Sequence, residues 1–178
     1  MIGFLKNSVR HFLRDDDGSM VVPFALWTPL FIGLMVSSIE MGTLTIRHSA
    51  LERAMDQTVR ELRLGTGTHY SHAELKDMIC EKAGVLPNCA GMLHLEMIKM
   101  DMRAFNEPDY LPDCVDLAEE ATPQRNFQYG ASNEVMFLRA CYKYDPFSPA
   151  GYLGGSMMAD DEGNVALIAT SAFVQEPS

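Results

Sequence analysis

From Ser19 to Ile39 the chain carries 21 consecutive residues without a charged side chain. As a helix, such a run is about 31 Å long, matching the hydrocarbon core of a bilayer. A buried helix of a soluble protein is the competing reading, but that helix would show a polar face and this run has none. The run is also too long for the core of a removable secretory signal, and no small-residue cleavage site of the A-x-A kind follows it. The sequence therefore predicts one retained membrane helix. Pro23 lies near its start, where a missing N–H costs little. Pro29 lies inside it, where a bend is expected and Thr28 can partly satisfy the freed backbone.

Charge flanks the run unevenly. Lys6, Arg10 and Arg14 precede it, followed by Asp15, Asp16, Asp17 and Gly18; a long acidic portion comes after it. Lys and Arg close to the membrane set orientation more strongly than Asp and Glu, so the short N-terminal arm is expected to stay cytoplasmic, with Arg47 and Arg53 opposing weakly. The formal net charge of −10 argues against a nucleic-acid partner, which requires a basic face.

Beyond Ile39 the pattern changes without a break. Leu44, Leu51, Met55, Val59 and Leu62 recur at spacings of seven and four, with Ala50 and Ala54 on the same stripe. Arg47, Glu52, Arg53, Asp56, Arg60 and Glu61 are assigned to the opposite face. This is amphipathic helix, and "LGTG" from Leu64 to Gly67 is its stop. One helix from roughly Met20 to Leu64 is implied, its first half fit for lipid or a helical bundle, its second half for packing on a head.

All four cysteines, Cys80, Cys89, Cys114 and Cys141, follow the apolar run. An even number confined to one side of a membrane segment points to two disulfides in an oxidising compartment, against the alternative of four reduced, buried thiols. Of the three connectivities, Cys80–Cys89 and Cys114–Cys141 are favoured: the first pair closes a short loop containing Gly84 and Pro87, and the second follows by subtraction.

The rest of the head reads as a helix over 72–83 ending at Gly84, a strand over Met92–Phe105, a loop over Asn106–Phe127, a strand over Glu134–Tyr144, and a hairpin within 155–174 turning at Asp161–Asn164. Within the first strand Leu93, Leu95 and Met97 share one parity, and Ile98, Met100 and Met102 the other. Such a switch implies a bulge or a second buried face. Strands grouped behind one long helix define an α+β fold, a lollipop in which the helix packs on a small antiparallel sheet. The expected organisation is 1–18 leader, 19–41 transmembrane helix, 42–66 amphipathic continuation and 67–178 disulfide-bearing head.

Motifs for chemistry are weak. No phosphate loop, H-E-x-x-H or G-x-S-x-G occurs. His69 and His72, with Cys80 further along, are too few for a credible metal site. "DDEGN" lacks the alternating ligands of a calcium loop and reads as a turn. Cys141, in a buried strand, lacks the accessible electropositive setting of a thiolate nucleophile. Met92, Met97, Met100 and Met102 at strand spacing read as core filler rather than a soft-metal site. The expectation is a non-enzymatic protein with no cofactor and no metal.

The stretch from Asp15 to Gly65 resembles the start of a TadE-like protein, a minor pilin or pseudopilin of the Tad (tight adherence) type IV pilus system. The matching residues are Gly18, Phe24, Trp27, Pro29, Glu40, Gly42, Arg47, Ala54 and Arg60, over roughly residues 12 to 65. The resemblance implies that a prepilin peptidase cuts between Gly18 and Ser19 on the cytoplasmic side, leaving Ser19–Ser178 with its helix intact. It also implies an inner-membrane, single-pass protein with a periplasmic head, or a pilus-associated extracellular one, whose partners are other pilins and the inner-membrane Tad assembly proteins. Pro23, Phe24, Trp27, Pro29 and Glu40 would then serve helix packing and assembly. One departure stands out: the fifth mature position, usually Glu, is Pro23, and Glu40 is too distant to replace it. Loss of that carboxylate fits a priming or tip subunit. The rival readings are an uncleaved, membrane-anchored periplasmic binding protein and a membrane-anchored hydrolase.

Overall fold

The structure is a computed structural model, described here for His11 and for residues 20–64, 69–105, 107–115, 126–146 and 163–176. Chain contacts divide the molecule into two units, one ending at Ile39 and one running from Glu40 to Ser178. Helix α1, Val21–Leu64, contributes its first part to the first unit and the remainder to the second.

In the first unit α1 runs through Pro29 without interruption. The Thr28 hydroxyl donates to the Phe24 carbonyl at 2.6 Å, and the Ser38 hydroxyl to that of Leu34 at 2.8 Å. Turning hydroxyls back onto the backbone removes them as isolated polar groups, a requirement for a helix in lipid. The carbonyl deprived of a partner by Pro29 is that of Ala25, so Thr28 does not fill the role expected of it. None of the most apolar 18-residue stretch of α1 is buried, and the helix is long and apolar enough to cross a membrane.

The second unit is an α+β head. Its sheet has the order β1-β2-β3, with β1 Leu93–Met100, β2 Val135–Tyr144 and β3 Val165–Val174, all antiparallel. Residues 40–64 of α1 supply Leu51, Ala54, Met55, Val59 and Leu62 to the core, and Leu44 packs against it. From the sheet come Leu93, Leu95 and Met97 of β1, Leu138 and Tyr142 of β2, and Leu167 and Phe173 of β3. Helix α2, His72–Ala83, adds Leu75 and Ile79. It begins in a capping box: the Glu74 amide donates to Ser71 Oγ at 3.3 Å and the Ser71 amide to Glu74 Oε2 at 2.7 Å. It ends at Gly84, whose φ of 54° suits a residue without a Cβ. A four-residue helix, α3 (Cys89–Met92), then leads directly into β1.

Two boundaries differ from expectation. Met92 closes α3 rather than opening the strand, and β1 stops at Met100 instead of continuing to Phe105. The stop is chemical: Asp101 Oδ1 accepts the amides of Arg103 at 2.8 Å and Ala104 at 3.2 Å, bending the chain into a turn. The parity switch in β1 is not a bulge. Pairing runs unbroken from Leu93 with Tyr142 to Met100 with Val135. Both faces of the strand are buried over Leu93–Met97, so His94 and Glu96 are covered as well as Leu93 and Leu95. The outer edge of β1 is also occupied, because the Met97 amide donates to the Asn126 carbonyl and the Gln128 amide to the Met97 carbonyl, both at 2.8 Å. Of the expected hairpin, the second strand is β3; the first strand and residues 161 and 162 of the turn lie outside the described residues.

Candidate functional site

Two regions hold the candidate residues: the apolar part of α1 and a polar cluster on the second buried face of β1. In the first, Phe24 and Trp27 are exposed, as are Leu26, Leu30, Phe31 and Leu34 around them. Pro23 sits in the first turn and Pro29 inside the helix. Gly18 and Ser19, the expected peptidase site, lie outside the described residues. Glu40 belongs to the other unit. It is buried at 8% exposure, and its carboxylate lies close enough to Tyr144 to influence that phenol. Burial first, and Glu40 second, push the Tyr144 phenol above its ordinary pKa, opposed by the Arg47 guanidinium. Arg47, assigned by sequence to the charged face, instead lies over the Tyr144 ring, 5.1 Å from its centroid. Extending the Leu51 stripe backward at helical spacing reaches Arg47, Leu44 and Glu40, and that was the available signal.

The polar cluster is built on β1 and β2. Register sets Glu96 opposite Arg139 and His94 opposite Cys141. Arg139 Nε donates to Glu96 Oε2 at 2.5 Å, and both residues are buried. The remaining guanidinium nitrogens grip the loop that crosses this face: Nη1 donates to the Asp109 carbonyl at 2.7 Å and Nη2 to that of Leu111 at 3.4 Å. Glu96 also accepts from the Asp113 amide at 3.2 Å and from Asn126 Nδ2 at 3.4 Å. Burial alone would raise the Glu96 pKa, but these hydrogen bonds and the Arg139 charge hold it below the ordinary value. The next residue of the loop, Cys114, is disulfide-bonded to Cys141 of β2, with Cα atoms 5.3 Å apart. The second disulfide, Cys80–Cys89, ties α2 to α3.

Beside this cluster stands a histidine pair. The His72 and His94 rings are 5.4 Å apart, and His94 Nε2 lies 3.6 Å from Asp113 Oδ2. His72 is buried against Phe127, its Nε2 without a hydrogen-bond partner. Burial, then the charges of His94 and Lys76, lower its pKa to about 4, against a weaker opposing hydrogen bond with the Leu95 backbone. His69 stacks edge-on with Tyr129, which in turn meets Phe127. Cys80 and Cys141 are both in disulfides, so neither offers a thiolate. Among the described residues no three His, Cys, Asp or Glu side chains converge as metal ligands. A cavity of about 40 Å³ lined by Leu62, His69, Tyr70, Tyr129 and Gln175 has room for a few waters.

These features define a class: an α+β head stapled by two disulfides, on a chain whose N-terminal helix can span a membrane. Compared with protein-family models, curated proteins and solved structures, the chain matches none.

Proposed function

We propose that the protein is a non-enzymatic minor pilin or pilus-assembly component of a Tad-like type IV pilus. In this reading the mature chain begins at Ser19 after a prepilin peptidase removes the charged arm. The helix lies in the inner membrane and the head in the periplasm, where its partners are other pilins and Tad assembly proteins. The observation that carries the reading is the absence of any buried residue in the apolar stretch of α1, on a helix whose continuation forms the head's core. A helix of this kind serves equally well in lipid and against like helices, which is what transfer from membrane to filament demands.

Pro23 in place of the usual carboxylate directs the proposal to a priming or tip position, where no subunit ahead would pair with it. Immunogold labelling of pili tests this: signal confined to filament ends or bases supports it, and labelling along the shaft excludes it. A Gly18→Leu substitution tests processing, with the full-length chain expected to accumulate uncut in membranes. Wild-type protein that is itself uncut and functional would favour the reading as a plain anchored binding protein.

A further inference from the structure

The loop crossing the outer face of β1 and β2 has no regular structure but is held at several points. A buried arginine grips the carbonyls on either side of Tyr110, those of Asp109 and Leu111. A buried carboxylate takes the Asp113 amide, and a disulfide fixes Cys114. All of this restraint leaves Tyr110 88% exposed and Leu111 73% exposed. Two more large apolar side chains on the same connection, Met102 and Phe105, are 69% and 65% exposed. A single exposed apolar side chain is ordinary; here four lie within ten residues of one connection, two of them on its restrained part.

Binding energy explains the combination. An aromatic and an aliphatic side chain make effective interface anchors, and a backbone already fixed avoids the ordering cost that a free loop would incur on binding. The surrounding charge indicates the partner. Among the described residues 101–111, Asp101, Glu107 and Asp109 are exposed, against one basic residue, Arg103. Acidic groups at the rim of an apolar anchor favour a partner with basic groups at the rim of its pocket. A second copy of this chain is a poor fit, since it repeats a net charge of −10.

We propose that Tyr110 and Leu111, held outward by Arg139, are the anchor of a docking surface for a different protein presenting an apolar pocket edged by Lys or Arg. The inference is independent of leader cleavage, and its failure would leave the pilin reading untouched.

The test uses the full-length chain in its own cells with a photo-crosslinking benzoylphenylalanine at position 110, and at exposed Glu81 as the control. The expected result is a discrete adduct with one other protein, at least about tenfold stronger from position 110 than from 81. Asp109→Lys with Glu107→Lys should weaken it at least about tenfold, equivalent to about 1.4 kcal/mol, while circular dichroism and both disulfides stay unchanged. Mapping should place the crosslink beside Lys or Arg on the partner, and reversing one of those charges should restore the adduct to the Lys variants. The proposal is overturned by no adduct above the control, by an adduct of twice the chain's own mass, by attachment to lipid, or by an adduct indifferent to the charge reversals.

Discussion

The two halves of α1 share one helical backbone and depend on opposite surroundings. Over residues 21–39 the side chains are apolar on every side and none is buried. Over residues 51–62 one stripe is buried and, apart from Thr58, apolar, while the other face carries charge. The difference shows what each half requires. A helix with one apolar stripe finds its partner within the molecule, and here that partner is the sheet and α2. A helix that is apolar all round finds none within its own unit and must look to lipid or to other helices.

The sharpest way to break this comparison is truncation in each half. Leu51→Ala removes a side chain with no exposed surface and should destabilise the head by about 2–5 kcal/mol in thermal or denaturant unfolding of the full chain in detergent. Leu30→Ala, at a position 54% exposed, should change the same transition by less than about 0.5 kcal/mol. Equal effects would mean that the apolar half is packed against the head. A charge sharpens the contrast next: Leu30→Arg should raise the cost of membrane insertion by about 3 kcal/mol and move protein from the membrane fraction to the soluble or degraded one, without altering the fold of the head.

Acid should separate the halves again. The unfolded chain binds a proton at His72 near its ordinary pKa of 6.5, whereas the folded head resists it until about pH 4. Between those values the unfolded state holds more protons, so head stability falls as pH drops from about 6.5 to about 4. The groups facing His72 in this window are His94, Lys76 and Asp113 through His94. His72→Leu should flatten the slope there, and a slope unchanged by that substitution would assign it to other groups. The apolar half has no titratable side chain in the stretch and should be indifferent. A modest effect is expected at the α2 cap, where Ser71→Ala should cost about 1 kcal/mol of head stability and nothing in membrane partition.

The sequence revealed the periodic features best. Both halves of α1, α2 with its stop at Gly84, and the antiparallel strands all follow from local repeats of apolar residues. The disulfide pairing favoured from loop length is the one formed. Boundaries set by single side chains were harder: Asp101 ends β1 by capturing two amides, and α3 takes Met92. The capping box at Ser71–Glu74 was present as S-x-x-E but is a weak signal beside a helix already evident. Least legible was the Glu96–Arg139 pair. Its partners are 43 residues apart, and neither pattern nor spacing indicates that register will place them opposite each other under a loop. Without that pair the exposure of Tyr110 looks like ordinary loop character rather than an arranged feature.

The claim underlying the functional account is that the apolar helix is kept while its charged leader is removed, with the head exported and oxidised. Intact mass of the unreduced protein, purified from its own membranes, tests both parts together. The account predicts the mass of Ser19–Ser178 less four hydrogens, reflecting two disulfides. A functional species that still carries the residues ahead of Ser19, or one with four free thiols, would contradict it.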